Sequence, residues 1–405
     1  MNPTQFQSFF MQIAVMLAVA WFFGYLMKRL AQPVVLGEII GGILLGPTLL
    51  GSFCPDVYLM LFPDDKAIVA GMAALLKIGL LFFMFAAGLE VNLVHFKQSK
   101  KLITMTSLCG GILPFALGFG MVMLSPTLWG QSDRLFLFAL FMGTALSISA
   151  LPVIARILME LDLIGSRIGM TIMTSAMVND WFGWILFAFL IRQLGHGDVE
   201  EGVFTTLALV LAYTVTVLAL GRWVILPAMN TRLFKDWPGG LLSFVALLIM
   251  LAAIGAEKVG INAFFGAFLV GMAFSQGHDP EQEKTINSMI QPFALTFFAP
   301  LYFVSVGLKA NFSSQLDVTL CGLIFLMACV GKIVGAGFGA RMGGMKWRDA
   351  LAVGVGLNAR GAIEIILASI ALEYHLIDQR IFVALVLMAF LTTLLSSAML
   401  KYLLK

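Results

Sequence analysis

One acidic residue lies in the middle of a long apolar segment of this 405-residue chain. The segment is bounded by Arg167 and Arg192, and Asp180 is 13 residues from the first and 12 from the second. In a helix these spacings correspond to roughly 18 to 20 Å, so Asp180 would lie about half-way through a bilayer. A carboxylate at that depth can hold a proton or a small monovalent cation, but not both. The pattern predicts a proton and cation site at Asp180 with Asn179 beside it, and the alternative is a buried aspartate paired with a cation elsewhere.

Hydroxyl side chains precede a proline in the apolar segment before this aspartate. Residues 143–152 read Gly-Thr-Ala-Leu-Ser-Ile-Ser-Ala-Leu-Pro. Proline removes a helical donor and disfavours helix at the residue before it, which predicts an interruption near Leu151. The interruption would make Thr144, Ser147 and Ser149, with freed carbonyl groups, available as hard oxygen ligands for a cation. The alternative is a simple kink in which the hydroxyls bond to their own backbone.

Lys332 and Arg360 are among the basic residues within apolar segments, where a charge costs at least ~2.5 kcal/mol unless it finds a partner. Lys332 has no acid within ten residues in the sequence, so the Asn179 and Asp180 pair is its expected partner. Arg360 and Glu364 are spaced i, i+4 and can pair with each other. We expect Lys332, Arg360 and Glu364 to compensate charge around the site.

The elements that must position these residues are membrane helices. The chain is 60% hydrophobic and 12% charged, with a mean hydropathy of +0.98, which is far above that of a soluble core. Apolar runs of about 20 residues recur along the chain and predict thirteen spans. These spans lie near residues 9–28, 34–52, 69–93, 102–125, 135–159, 168–191, 204–229, 240–257, 260–276, 292–308, 318–340, 350–373 and 381–400.

The distribution of basic residues predicts the orientation of the chain. Of the 25 Lys and Arg residues, 14 fall at one set of span ends, six at the other and five within spans. Cytoplasmic ends carry the excess of Lys and Arg, so the N-terminus is expected outside and the C-terminus in the cytoplasm. The net charge of +3 is small, and no nucleic-acid partner is expected.

Two halves of the sequence resemble each other. Residues 81–93 match residues 300–312 at an offset of 219, and the same offset aligns 118–120 with 337–339. Seven spans separate the copies, so the second copy would enter the bilayer upside down. Chance similarity between Phe- and Gly-rich helices is the alternative. The predicted divisions of the single membrane unit 1–405 are a first repeat at 34–192, linking helices at 193–259 that form a scaffold with 1–33, and a second, inverted repeat at 260–405.

The repeat places a second interruption opposite the proline break. Residues 356–361 read Gly-Leu-Asn-Ala-Arg-Gly, and paired interrupted helices at corresponding positions indicate the binding site of a transporter. We therefore predict an all-α polytopic membrane protein with about 13 transmembrane helices, inverted-topology repeats and two crossed broken helices. Ser149 and Gly361 are expected to lie within about 20 Å of each other, which is two helix diameters.

These residues together resemble the monovalent cation:proton antiporter-2 family over essentially the whole chain. The likeness rests on the Ser and Pro of the fifth span, on Lys332, and on the motifs at 32–40, 46–47, 87–90, 179–180 and 358–364. It implies a homodimer in the lipid bilayer of the cell (inner) membrane, with a dimerisation domain distinct from a six-helix core domain. It also implies sodium or potassium as the substrate in exchange for protons. No cofactor is expected.

One position departs from the electrogenic members of that family, which carry two adjacent aspartates. Asn179 and Asp180 look like the pattern of electroneutral exchangers, so one proton is expected to exchange for one cation. A sodium-coupled carrier of organic anions with the same architecture is an alternative. Another is the membrane module of a gated potassium-efflux system, because such relatives continue into a soluble nucleotide-binding domain and this sequence ends at Lys405. An intramembrane hydrolase would need a second acid beside Asp180, and a channel would need a filter sequence.

Overall fold

The computed structural model describes residues 2–30, 32–89, 100–129, 134–161, 163, 166–195, 203–225, 227, 238–275, 288, 290 and 292–404. Within these ranges the regular structure is helical and no strand occurs. Two π-helical segments, Gly221–Ile225 and Ala294–Phe298, accompany the α-helices. The α-helices are α1 (Pro3–Arg29), α2 (Val34–Leu45), α3 (Leu50–Phe53), α4 (Pro55–Leu61), α5 (Lys66–Leu89), α6 (Lys100–Leu124), α7 (Pro126–Trp129), α8 (Leu135–Ser147), α9 (Leu151–Glu160), α10 (Arg167–Gly195), α11 (Val203–Leu220), α12 (Pro238–Lys258), α13 (Ala263–Phe274), α14 (Ala299–Lys309), α15 (Phe312–Gln315), α16 (Val318–Met342), α17 (Trp347–Leu357), α18 (Ala362–Glu373) and α19 (Gln379–Leu403).

Hydropathy located the helices correctly. Nine helices within the described residues are long and apolar enough to cross a membrane, and shorter apolar helices cover three further segments. Every predicted span overlaps a helix or a pair of helices, so the predicted all-α polytopic membrane fold is confirmed. The predicted spans 135–159 and 350–373 are each divided into two helices by a non-helical segment, as the proline and glycine residues there predicted.

The chain forms two compact units, each described by itself. One unit comprises Met1–Ala20, Asp56–Leu93 and Ala188–Ser305. Within it, α5 and α13 cross so closely that a Cβ atom on Gly88 would lie 2.2 Å from the carbonyl oxygen of Phe268. Only glycine allows two helix backbones to approach to this distance.

The other unit comprises Trp21–Pro55, Val94–Phe187 and Val306–Lys405, and it contains both broken helices. Its α16 packs on α6 through glycines that recur every fourth residue. A Cβ atom on Gly335 would lie 2.4 Å from the carbonyl oxygen of Cys109, and one on Gly339 would lie 2.3 Å from that of Met105. Residues four apart share one helix face, so this stripe holds α16 directly against α6 and fixes the rotation of α16.

The predicted repeat and scaffold boundaries stay predictions. Each compact unit takes segments from both halves of the sequence. The compact units show which segments pack together. They do not show whether two stretches of the sequence share the same fold, so they do not test the repeat.

Candidate functional site

The two broken helices meet at their non-helical segments. Residues 148–150 separate α8 from α9, and residues 358–361 separate α17 from α18. The N–H group of Ala150 donates to the carbonyl oxygen of Ala359 at 3.1 Å. A Cβ atom on Gly361 would lie 3.3 Å from that of Ala150. The two breaks therefore touch, which is well within the predicted separation of about 20 Å.

Asp180 belongs to α10, and its carboxylate lies next to the N-terminal end of α9. The N–H group of Ser149, just before that helix, donates to Asp180 Oδ1 at 3.3 Å, and Asp180 is only 3% exposed. The first N–H groups of a helix lack intrahelical acceptors and carry partial positive charge. The start of α9 therefore supplies positive potential and a hydrogen bond to this carboxylate.

The C-terminal end of α8 faces two cations. Arg360 donates through Nη1 to the carbonyl oxygen of Ala145 at 2.8 Å and through Nη2 to that of Leu146 at 2.6 Å. Lys332 Nζ donates to the carbonyl oxygen of Ser147. The last carbonyl groups of a helix lack intrahelical donors and carry partial negative charge, so both cations satisfy and neutralise this helix end.

Arg360 is also held from two further directions. Its Nη1 lies 3.2 Å from Glu364 Oε1, and both side chains are buried, so the i, i+4 pair that the spacing predicted is present. Thr393 Oγ1 accepts from the N–H group of Arg360 at 3.1 Å and donates to its carbonyl oxygen at 2.5 Å. The guanidinium group is thus fixed between α8 and α18 while α19 anchors its backbone.

Lys332 is fully buried and has the partner that was expected for it. In the amide orientation that satisfies both neighbours, Asn179 Oδ1 accepts from Lys332 Nζ at 3.1 Å and Asn179 Nδ2 donates to the carbonyl oxygen of Ser107 at 3.0 Å. Asp180 interacts with Lys332 electrostatically. Asn179 therefore connects α6 with the lysine of α16, beside the acid.

The three candidate hydroxyl ligands all donate to main-chain carbonyl groups. Thr144 donates to Leu140 at 2.8 Å, and Ser147 donates to Thr144 at 2.9 Å, which is the bonding expected of a kinked helix. Ser149 instead crosses to the other broken helix and donates to Leu357 at 2.9 Å. Each hydroxyl oxygen keeps acceptor capacity in these bonds. A role as cation ligands stays a prediction for all three.

Sequence reasoning missed two residues that contact this cluster, Ser107 through its carbonyl oxygen and Thr393 through its hydroxyl group. Ser107 is one, and the Gly110–Gly111 pair next to it was the only local sign of a close approach in α6. Thr393 is the other, and no local pattern in α19 distinguishes it from a serine or threonine that bonds to its own helix. Within the described part of the chain, no group of three or more His, Cys, Asp or Glu side chains is placed to hold a metal ion.

The sequence was also compared with known protein families. A family model described as "Sodium/hydrogen exchanger, transmembrane" matches residues 15–405. The chain belongs to this family. Membership makes it a multi-pass membrane protein of a transporter family and agrees with the resemblance seen in the sequence motifs.

Several known proteins are similar to this chain along nearly its whole length. The Na(+)/H(+) antiporter NhaS4 of Synechocystis is 33% identical over 95% of this chain and 94% of its own length. The Na(+)/H(+)-K(+) antiporter GerN of Bacillus cereus is 30% identical over 97% and 96%. Cation/H(+) antiporter 20 of Arabidopsis thaliana is 34% identical over 98% of this chain, but the chain spans only about half of that protein, 48% of its length.

A solved structure supports the fold independently. The sodium proton antiporter MjNhaP1 of Methanocaldococcus jannaschii matches with a TM-score of 0.75 over 99% of both chains, at 13% identity. An identity this low carries information about the fold alone.

Proposed function

We propose that the chain is a secondary active antiporter that exchanges protons for Na⁺ or K⁺ by alternating access. The observation that carries the proposal is the position of Asp180, a buried acid at the crossing of two broken helices, next to the N-terminal end of α9. Three of the similar proteins described above are named as antiporters of sodium, potassium or unspecified cations with protons. None of these names supports the alternative of a sodium-coupled organic anion carrier.

In this cycle Asp180 carries either a proton or the cation. Oxygen atoms of Thr144, Ser147, Ser149 and Asn179 complete the coordination of the dehydrated ion, since Na⁺ and K⁺ both prefer hard oxygen ligands. Asp180 is the sole acid of its pair, because Asn179 occupies the neighbouring position. One proton therefore moves against one monovalent cation, and no cofactor takes part.

We further propose that the protein works as a homodimer in the cell (inner) membrane, with the N-terminus outside and the C-terminus in the cytoplasm. The charge distribution of 14 basic residues against six supports the orientation. The family resemblance supports the dimer.

Replacing Asp180 with Asn tests the proposal. The amide keeps the volume of the side chain but can neither take up a proton nor bind a cation by charge, so cation-driven proton movement should fall to background. The measurement is internal pH in proteoliposomes after addition of NaCl or KCl outside. Asp56→Asn is the matched control, because Asp56 is exposed on α4, and it should retain exchange. Substantial exchange by a folded Asp180→Asn protein would contradict the proposal.

A further inference from the structure

A cavity of about 370 Å³ opens beside the Lys332 and Asn179 pair. Most of its wall is apolar, and among the described residues that line it the polar side chains are those of Ser107, Ser147 and Asn179. Asp180 does not line this cavity. A cation inside it would therefore meet these three side chains before it met the acid.

The hydroxyl group of Ser107 differs from the other hydroxyls of the site. Ser107 is 4% exposed, and its Oγ atom has no hydrogen-bond partner within the described part of the molecule. A buried serine or threonine in a helix ordinarily donates to a carbonyl group one turn earlier, as Thr144 does. Three other buried hydroxyls in the described chain share this lack of a partner, those of Thr106, Ser175 and Ser396, but none of them lines the cavity.

Lys332 engages two other oxygen atoms near the cavity. Its ammonium group binds the carbonyl oxygen of Ser147 and the Oδ1 atom of Asn179. An entering cation competes with the ammonium group for these atoms, because both are positive and both need oxygen ligands. The hydroxyl of Ser147 already donates to the carbonyl oxygen of Thr144, whereas the hydroxyl of Ser107 has no partner within the described residues. Ser107 Oγ is therefore the oxygen that can bind the cation while Lys332 is still in place.

We propose that Ser107 Oγ is the first protein ligand of the transported monovalent cation, at an entry position in this cavity. The hydroxyl replaces one water of the hydration shell, and the cation then displaces Lys332 from Asn179 on its way to Asp180. This inference rests on the proposed function and assigns to α6 a part in recognition of the substrate.

Gly111 keeps the entry position open. It lies one helical turn after Ser107 and also lines the cavity. A Cβ atom there would lie 3.5 Å from the side-chain amide of Asn179, which is ordinary van der Waals contact. Alanine at this position thus fits without a clash and narrows the cavity where the cation reaches Asn179.

The first experiment measures exchange against Na⁺ and K⁺ concentration in proteoliposomes containing the full chain, at fixed pH. Ser107→Ala should raise the apparent KM for both cations at least about tenfold, the effect of losing one contact to a charged group, with a maximal rate within about twofold of the parent. Ser107→Thr keeps the oxygen and should restore most of the affinity. Ser396→Ala removes a buried hydroxyl of the same kind away from the cavity and should leave KM unchanged.

The results separate the inference from the proposed function. An unmodified protein without cation-driven proton movement would overturn both. If the unmodified protein exchanges, an unchanged KM in Ser107→Ala overturns the entry ligand alone, as does a fall confined to the maximal rate. An equal rise of KM in Ser396→Ala would also overturn it, because the effect would then be one of packing.

The second experiment tests the size of the entry position with Gly111→Ala. The added methyl group should raise the apparent KM for K⁺ at least about threefold more than that for the smaller Na⁺, because it takes space from the larger ion. Equal KM changes for both ions would show that the cavity does not discriminate and would contradict an entry position at this wall.

Discussion

The two broken helices receive different donors at corresponding ends. At the C-terminal end of α8 the donors are charged, and they come from Arg360 and Lys332. At the C-terminal end of α17 and just after it the donors are neutral, namely the hydroxyl of Ser149 and the N–H group of Ala150. Two similar backbone interruptions thus have different electrostatics. In the proposed cycle the transported cation replaces Lys332 at the first break, whereas the second break supplies Arg360, which stays in place.

Removing the fixed cation should have the largest effect. Arg360→Met leaves two carbonyl groups of α8 without donors and Glu364 buried without its partner, so the protein should lose about 3 to 5 kcal/mol of stability and its exchange activity. The measurement is unfolding of the purified protein in detergent, together with exchange in proteoliposomes.

A double variant tests whether the unpaired acid causes this loss. Arg360→Met with Glu364→Gln removes the negative charge, so it should recover part of the stability but not the exchange activity. A single variant within about 1 kcal/mol of the parent would show that the first break does not need its guanidinium group.

Moving the other cation should have the next largest effect. Gly335 and Lys332 are on the same helix, and a methyl group on Gly335 would lie 2.4 Å from the carbonyl oxygen of Cys109. Gly335→Ala should therefore push α16 from α6, cost about 1 to 3 kcal/mol of stability and weaken exchange by displacing Lys332.

Gly322 of the same helix provides the matched control, since nothing lies within 4 Å of the Cβ position there. Gly322→Ala should leave exchange intact and change stability by at most about 1 kcal/mol, towards greater stability because alanine favours helix. The same loss in both variants would mean that helix propensity and not the approach to α6 is responsible.

Loss of the hydrogen bonds that hold the backbone of the second break should reduce stability less than the Arg360→Met and Gly335→Ala substitutions. Thr393→Val keeps the shape of the side chain but removes both hydrogen bonds to the backbone of Arg360. We expect a loss of about 1 to 2 kcal/mol in the detergent unfolding assay. The apparent KM for the cation should stay as in the parent, and a large rise would place the second break among the determinants of ion affinity.

The last prediction concerns the unmodified protein, which should carry no transport current. The proposed cycle uses Asp180 as its titrating acid, since Asn179 occupies the neighbouring position and Glu364 is paired with Arg360, so one-for-one exchange moves no net charge. Liposomes on a solid support should give no sustained transport current under a cation gradient at symmetric pH. A current from protein with demonstrated proton flux would mean that Lys332 releases a second proton in each cycle.

The sequence was sufficient for the helices and for the two breaks because these depend on local chemistry. Apolar length determines a span, and Pro152 with the glycines of 356–361 interrupts two of them. The Arg360 and Glu364 pair was also local, since the two residues are one helical turn apart.

Contacts between distant segments could not be predicted in the same way. Arg360 already had an acid within reach in the sequence, so nothing indicated that its guanidinium group would also bind Ala145 and Leu146, more than 200 residues earlier. Ser107 was missed because a lone serine in an apolar helix has no distinctive pattern. Its relevance depends on the rotation of α6, which packing against α16 determines.

The hydrogen bond between Ala150 and Ala359 determines which changes of sequence the two breaks can tolerate. Both atoms belong to the main chain, so substitution of the neighbouring side chains does not remove the bond, whereas an insertion or deletion between the half-helices would shift its register. The segments at the crossing should therefore vary more readily in composition than in length.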